Sequence, residues 1–139
     1  MTFTQLREIY KEAGNLAISG RDVVQAMCDD ETDFEVENYR FIHKHSIDEI
    51  QQEELESDLY MLGCFRAGFL GDILGIDYDV IGAMQEAEAF EAIGKLVVSM
   101  DRVEELQADY ASTDGYGHHF NHYDGCEEEI GQYYAFRTN

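Results

Sequence analysis

Apolar residues in the first part of the chain recur at the spacing of an α-helix. Between residues 3 and 13, one helical face collects Phe3, Leu6, Ile9, Tyr10 and Ala13. This pattern predicts a helix that ends near Gly14, because glycine often follows the last helical residue. Ser19, with an acidic residue three positions later, forms a capping-box-like start, so a second short helix is predicted from there through about Met27.

The period changes to two between Asp29 and Glu37, which predicts a strand. One side of this strand collects the carboxylates Glu31, Asp33, Glu35 and Glu37, and the other side collects Phe34 and Val36. The alternation slips near Asn38, since Tyr39 and Phe41 fall in the register of the acidic side. Such a slip indicates either a bulge or a strand that becomes buried on both faces, in a segment that extends to about residue 42.

Helical spacing returns after Ser46 and continues to about residue 111. Ser46 and Glu49 form a capping box for a mostly polar helix that reaches about Glu56. The most apolar segment, LYMLGCFRAGFLGDIL, is predicted to be one helix that is capped by Ser57 or Asp58, forms the core and ends at Gly75. Further helices are predicted from residue 77, from about 87 to 100, and from 101 to about 111.

The C-terminal tail has strand and turn signals instead. Residues 116–123, the pair Asp124–Gly125 and the final YYAFR run predict a terminal β-hairpin. The chain has no proline and no low-complexity stretch that would mark a domain boundary. We therefore predict an α+β fold over residues 1–139, a single and mainly helical domain. Its small antiparallel sheet would contain the strand near residues 31–42 and the C-terminal hairpin.

The charge of the chain is far from balanced. Among 139 residues, 30 are acidic and 9 are Lys or Arg, which gives a net charge of -21. Solubility needs a magnitude of only about 2 to 8 in a small domain. Hydrophobic residues make up 45% of the chain, so a packed core is possible and the chain differs from disordered acidic tails. The excess charge repels itself and weakens the compact state. Either a function or a salt-adapted host with a generally acidic proteome would explain it.

This charge favours some partners and excludes others. A strongly negative surface repels DNA, RNA and anionic membranes and attracts basic protein surfaces. We therefore expect a basic protein surface as the partner, with no direct binding of nucleic acid or membrane. Ten of the 30 acids lie between residues 31 and 58. The candidate partner-binding residues are Glu31, Asp33, Glu35, Glu37, Asp48, Glu49, Glu53 and Glu56, with Glu127, Glu128 and Glu129 as a lesser patch.

Carboxylates on one side of a strand have a spacing that could imitate a row of phosphates. Alternate side chains of a strand lie roughly 6.6 to 6.8 Å apart, and DNA carries phosphates at regular short intervals along each strand. In the following helix Glu49, Glu53 and Glu56 share a face at i, i+4 and i+7. The alternative interpretation of either row is an ordinary solvated outer face.

Two histidine groups are candidates for a metal site. His43 and His45 would share one side of a strand, and His118 and His122 would share a side if the tail is extended. Neither group has the HExxH spacing or a carboxylate at a recognised ligand offset. We therefore predict no metal and no other cofactor, and interpret these histidines as surface or packing residues.

Residues suited to covalent catalysis are not arranged in a recognisable motif. Cys28, Cys64 and Cys126 are far apart and lack a fixed base, and Cys64 is expected to pack inside the apolar helix. The chain has no GxSxG, P-loop or GxGxxG pattern. We therefore predict a non-enzymatic protein. Arg40, Arg66 and Arg137 stand out because the chain has so few cations, and Arg66 and Arg137 are expected to neutralise clustered carboxylates within the chain.

Cysteine usage and hydropathy predict a cytoplasmic location. The three cysteines have no CxxC spacing and indicate neither a disulfide framework nor a thiolate zinc site. The N-terminal sequence MTFTQLREIYKEAG has no apolar run of signal-peptide length. No segment approaches the roughly 18 apolar residues of a transmembrane helix.

Several segments give the chain a resemblance to known proteins. The sequences ELESDLYMLGCFRAGFLGDILGI, AMQEAEAFEAIGKLV and HFNHYDG, with the final YYAFR, resemble small acidic proteins encoded by tailed bacteriophages. In size and charge the chain is also similar to the anti-restriction and anti-CRISPR proteins of phages and plasmids, some of which imitate DNA. This resemblance implies action in the cytoplasm of a host cell and supplies no catalytic residues.

The sequence therefore favours a non-enzymatic acidic inhibitor. We expect it to occupy the basic nucleic-acid-binding surface of a host defence protein or another DNA-binding protein. Two alternatives stay open: an immunity protein or antitoxin that caps a basic toxin, and a small metal-dependent enzyme that uses the histidines. The segment from Asp58 to Leu74 is apolar enough to contribute to a homodimer interface as well as to a core.

Overall fold

The computed structural model describes all residues from Met1 to Asn139 and contains nine helices and four strands. The helices are α1 Phe3–Asn15, α2 Gly20–Cys28, α3 Ile47–Glu56, α4 Leu59–Gly63, α5 Ala67–Leu74, α6 Tyr78–Glu86, α7 Phe90–Ser99, α8 Val103–Asp114 and α9 Gly117–Phe120. The strands are β1 Asp33–Val36, β2 Tyr39–His43, β3 Glu128–Ile130 and β4 Tyr133–Arg137. The predicted class, a mainly helical α+β fold with a small antiparallel sheet, is confirmed.

The chain divides into two compact units. Unit 1 contains Met1–Ile47 and Asp114–Asn139, and unit 2 contains Asp48–Thr113. The whole sheet therefore belongs to unit 1, together with α1, α2 and α9, while unit 2 consists of helices. That the chain is a single domain stays a prediction.

The sheet of unit 1 is antiparallel throughout, with strand order β1-β2-β4-β3. Each of the two inner strands has consecutive residues that are fully buried, Phe41 and Ile42 in β2 and Ala135 and Phe136 in β4. Neighbouring side chains of a strand point to opposite faces. Both faces at the centre of the sheet are therefore covered.

The two faces of the sheet are covered by different helices. One face packs on α1 and α2 in an apolar core that includes Ile9, Ala13, Val23, Met27, Phe34, Phe41 and Tyr133. On the other face, Phe120 of α9 packs on Phe136, with 5.2 Å between the ring centroids. Of the apolar face predicted for α1, Ile9 and Ala13 are buried, whereas Phe3 is 74% exposed.

The strand predicted near residues 31–42 is in fact two strands. Residues 37 and 38 form a tight turn, with Glu37 at a φ of 54°, and β2 then returns along β1. The slip in the alternation marked this turn, not a bulge. The pair Glu-Asn lacks the glycine of the usual two-residue hairpin signals, so the pattern did not reveal a turn. The other predicted explanation, burial on both faces, applies to β2.

The C-terminal hairpin is present, but at a different position. Residues Gly117–Phe120 are helical, not extended, and the hairpin turn lies at Gly131–Gln132 instead of Asp124–Gly125. Gly131 has a φ of 59°, a conformation that glycine adopts without strain. The side chain of Asn121 holds the segment between α9 and β3: its amide donates to the carbonyl oxygen of Cys126 at 2.7 Å, and its oxygen accepts two backbone N–H bonds.

The apolar helix predicted over residues 59–74 is two helices. α4 ends at Gly63 and α5 begins at Ala67. The side-chain amide of Gln85 donates to the carbonyl oxygens of Gly63 at 3.0 Å and Phe65 at 2.8 Å. A distant residue thus satisfies backbone groups at the break, which local spacing could not indicate. Cys64 lies in the break and is exposed, so the prediction that it packs inside a helix was wrong.

Several predicted helix boundaries are confirmed by their capping contacts. The side chain of Ser19 accepts a hydrogen bond at the start of α2, and those of Asp58 and Asp77 do so for α4 and α6. Gly75 ends α5 in the left-handed conformation, at a φ of 67°. These helices enclose the core of unit 2, which includes Leu55, Leu62, Leu70, Ile81, Ile93, Val97 and Leu106.

Helices α4 and α7 cross at very short range in unit 2. A Cβ atom added at Gly63 would collide with the backbone of Phe90, and one added at Gly94 would collide with the backbone of Leu59. Because glycine has no Cβ atom, the backbones of the two helices can approach each other this closely at these positions.

Candidate acidic docking surface

An open groove lies between α2 and β1 in unit 1. Its volume is about 530 Å³, and its floor includes Ala26, Phe34 and Val36. Six carboxylates line it, from α2 with its C-terminal cap and from β1 with its flanks: Asp22, Asp29, Glu31, Asp33, Glu35 and Glu37. We call these six residues the acidic groove. They include all four residues of the predicted acidic strand face.

Contacts near Ser19 place α2 along β1. The Ser19 hydroxyl accepts a hydrogen bond from the Asp22 N–H at 3.2 Å and caps the helix. The Ser19 N–H in turn donates to the carboxylate of Glu37 at 2.9 Å, which joins the β1–β2 turn to the start of α2. The apolar sides of both elements, with Val23 and Phe34, belong to one core. Their carboxylates are therefore left on the solvent side.

Two of the predicted strand carboxylates are already engaged within the protein. Arg40 donates two hydrogen bonds to Asp33, from Nε at 2.9 Å and from Nη2 at 2.7 Å. Glu37 lies in the turn and binds the backbone of Ser19, while Glu31 precedes the strand. Of the four carboxylates predicted on one side of the strand, only Asp33 and Glu35 therefore lie within β1 itself. Arg40 thus neutralises a carboxylate within the chain, the role that the sequence led us to expect of Arg66 and Arg137.

The remaining carboxylates of the acidic groove occupy both of its walls. Asp22, Glu31 and Glu35 are exposed, and their carboxylates form no ion pair or hydrogen bond within the protein. Asp29 accepts hydrogen bonds from the side-chain amide of Gln25 at 3.2 and 3.3 Å. Sequence reasoning missed Asp22 and Asp29. Their separation of seven residues puts them on one helical face, but the packing of that face beside β1 is a tertiary feature.

The acidic row of α3 lies in unit 2 and is solvent-exposed. Glu49, Glu53 and Glu56 are all exposed, as their predicted common face requires. Asp48 differs, because it accepts a hydrogen bond from the side-chain amide of Gln107 at 2.8 Å. That the two acidic rows act on the same partner stays a prediction.

The same Gln107 belongs to a buried polar cluster that the sequence did not reveal. Its amide also donates to the side-chain oxygen of Gln51 at 2.9 Å, and its oxygen accepts from Gln52 at 3.3 Å. Gln51 is fully buried. The hydrogen bonds from Gln107 and Gln52 join α3 to α8 within unit 2, while Nε2 of Gln51 is buried without a hydrogen-bond partner.

The lesser acidic patch at residues 127–129 is partly engaged. Glu127 accepts hydrogen bonds from the N–H groups of Tyr116 at 3.1 Å and Gly117 at 3.4 Å, at the start of α9. Glu129 forms an ion pair with Lys44 at 3.6 Å. Glu128 is exposed on the edge strand β3.

The candidate metal-binding histidines do not form a cluster of three or more potential ligands. His43 and His45 have stacked rings, 5.2 Å between centroids and 20° between planes, and Nδ1 of His43 accepts the His45 N–H at 3.1 Å. His118 lies in α9 and His122 follows it, so the predicted extended segment that would align them is absent. No group of three or more His, Cys, Asp or Glu side chains has the arrangement of a metal site.

The other reactive or charged residues that the sequence singled out include Cys126, Arg137 and Arg66. Asp124 raises the pKa of the Cys126 thiol by its negative charge, which disfavours the nucleophilic thiolate. The guanidinium of Arg137 lies 3.7 Å from the ring centroid of Tyr123, a cation–π contact where an ion pair was expected. Arg66 is exposed beside Asp72 and Asp77 without forming an ion pair.

No protein-family model, curated protein or solved structure matches the chain. No helix has the length and apolar character needed to cross a membrane.

Proposed function

We propose that the protein is a non-enzymatic inhibitor whose acidic groove binds the basic nucleic-acid-binding surface of another protein. The observation that carries this proposal is the composition of the groove. Six carboxylates line one open surface, and a single guanidinium, that of Arg40, pairs with one of them. The partner class we propose is a host defence nuclease or another DNA-binding protein, as the resemblance to phage anti-restriction proteins implies.

The groove offers charge on two opposite walls. Asp22 and Asp29 belong to the α2 wall, and Glu31 and Glu35 belong to the β1 wall. Because Asp33 is neutralised by Arg40, the free charges on the β1 wall are four residues apart, roughly 13 Å along an extended chain. The two walls together form a double row of negative charge. Lys and Arg side chains that normally clamp a nucleic-acid backbone are the complementary groups.

The charge of the whole molecule supports the same proposal through association kinetics. A net charge of -21 attracts a basic surface over distances of about a Debye length and accelerates encounter. The groove then supplies the local contacts. Because the same field repels nucleic acid, the protein should not bind DNA. It should instead compete with DNA for the basic surface of the partner.

Capture from a bacterial lysate tests the proposal. The tagged protein is immobilised, incubated with nuclease-treated lysate at low salt, and washed with increasing duplex DNA. We expect identified nucleic-acid-binding proteins to be retained and to be released by the duplex, because both ligands need the same cations. Recovery of no such protein, or retention that the duplex does not affect, would refute the proposal. Recovery of a basic toxin without nucleic-acid-binding activity would favour the antitoxin alternative.

A further inference from the structure

A second cavity of unit 1 is separate from the acidic groove. Its volume is about 590 Å³, within the range of about 300 to 1,000 Å³ of small-molecule sites. Asp30 and Thr32 line this cavity, whereas Asp29, Glu31 and Asp33 line the acidic groove. The segment between α2 and β1 therefore serves both surfaces with alternating residues. We call the second one the histidine cavity.

The walls of the histidine cavity are largely apolar and aromatic. Ile9 and Met27 come from α1 and α2, and Tyr133 comes from the start of β4. His43 and His45 add two rings that stack on each other, and His43 meets Tyr133 edge to face, 4.8 Å between centroids. Flat walls of this kind favour a ligand with a planar aromatic part.

Two carboxylates stand among the polar residues of the histidine cavity. The carboxylates of Glu8 and Asp30 line it, and no Lys or Arg does. Neither carboxylate is held in an ion pair with Lys, Arg or His. Burial and then the charges of Asp30 and Glu31 raise the pKa of the Tyr133 hydroxyl. Of the carboxylates that contribute to this shift, Asp30 lines the histidine cavity and Glu31 lines the acidic groove.

We propose that the histidine cavity binds a small organic cation that combines a planar aromatic ring with an amine. The ring would lie among Ile9, Met27 and Tyr133, and the ammonium group would pair with Glu8 or Asp30. This site is independent of the acidic groove and of the proposed inhibitor function. Its failure would leave that function untouched.

Three indole compounds of similar size test the ligand class. Tryptamine is a cation, tryptophol is neutral and indole-3-acetate is an anion. Each is titrated into the ¹⁵N-labelled full chain, and amide shifts of Thr32, His43 and Gln132 report binding at the cavity. We expect tryptamine to bind roughly five- to tenfold tighter than tryptophol, and indole-3-acetate weakest, because one ionic contact near a protein surface has about that effect. Equal affinities, or no shift at these residues with tryptamine, would overturn the proposal.

Three variants separate a specific site from general attraction to an acidic protein. Glu8→Gln with Asp30→Asn should reduce tryptamine affinity to that of tryptophol; asparagine suits the φ of 57° at position 30. The control Glu104→Gln with Asp109→Asn removes two exposed charges from unit 2 and should change the affinity less than twofold. Thr32→Trp, which fills the cavity from an exposed position, should abolish binding of both compounds. Equal losses in the pocket variant and the control would also overturn the proposal.

Discussion

Arg40 controls how much of the acidic strand face stays charged. It forms a two-point ion pair with Asp33, and its guanidinium lies 5.2 Å from the ring centroid of Phe120. Its side chain is 21% exposed, so the contact is better shielded from solvent than a surface ion pair. The ion pair with Arg40 therefore neutralises one carboxylate of the face that the sequence predicted to be acidic.

Replacement of Arg40 should destabilise the fold more than replacement of a surface arginine. We expect Arg40→Ala to lower the free energy of unfolding by about 1 to 2 kcal/mol, through the lost ion pair and the lost packing of its aliphatic stem. The matched control is Arg102→Ala, which changes the net charge equally. Arg102 pairs with Glu105 at an exposed position, so a loss of about 0.2 to 0.5 kcal/mol is expected. Urea unfolding measures both, and equal losses would contradict the assignment.

Glu12 should make the free energy of unfolding depend on pH. Burial, together with the negative charge of Glu8 one turn earlier, raises the pKa of Glu12. A carboxyl with a raised pKa in the folded state destabilises the fold when it is ionised, and acidification through that pKa removes the cost. Glu12→Gln should therefore stabilise the protein at neutral pH by about 0.2 to 0.5 kcal/mol. The gain should shrink at acidic pH. A gain of the same size at both pH values in urea unfolding would show another cause.

At the scale of elements, the crossing of α4 and α7 depends on two glycines. A methyl group at Gly94 would meet the backbone of Leu59, whereas one at Gly82, in the middle of α6, would meet no atom within 4 Å. We expect Gly94→Ala to destabilise the protein by about 1 to 3 kcal/mol or more, because the helices must separate. Gly82→Ala should stabilise it by roughly 0.5 to 1 kcal/mol. Thermal unfolding of the two variants checks the opposite signs, and a loss in both would contradict the packing account.

Elements with their own start and stop signals could be predicted from the sequence. The caps at Ser19, Asp58 and Asp77 and the end at Gly75 were all found, because a cap depends on residues within one turn. The break between α4 and α5 depends on Gln85, about 20 residues away. Hydrophobic spacing alone therefore predicted one helix where the structure has two.

The candidate site was predictable in part for the same reason. Alternation in β1 identified carboxylates that do line one groove. The pairing of Asp33 with Arg40 required the hairpin register, and the contribution of Asp22 required the packing of α2 beside β1. Both depend on tertiary contacts. The pattern along a single element contains no information about them.

At the scale of the whole molecule, self-repulsion should make stability sensitive to salt. With a net charge of -21, added NaCl should raise the melting temperature by several degrees. Most of the rise should be complete by about 0.2 M, because the Debye length is already near 8 Å at 0.15 M. Thermal unfolding between about 0.01 and 1 M NaCl measures this. A rise that continues steadily to 1 M would instead indicate adaptation to a salty solvent.

The central claim is that the acidic groove, and not the overall charge, binds the basic partner. Its most direct test is the affinity of two triple variants for the nucleic-acid-binding protein recovered by capture, measured by calorimetry at one salt concentration. The groove variant carries Asp29→Asn, Glu31→Gln and Glu35→Gln; the control carries Glu86→Gln, Glu91→Gln and Glu104→Gln, all exposed in unit 2. We predict that the groove variant binds at least about tenfold more weakly than the wild type, and the control within about twofold. Equal weakening in both variants would contradict the claim.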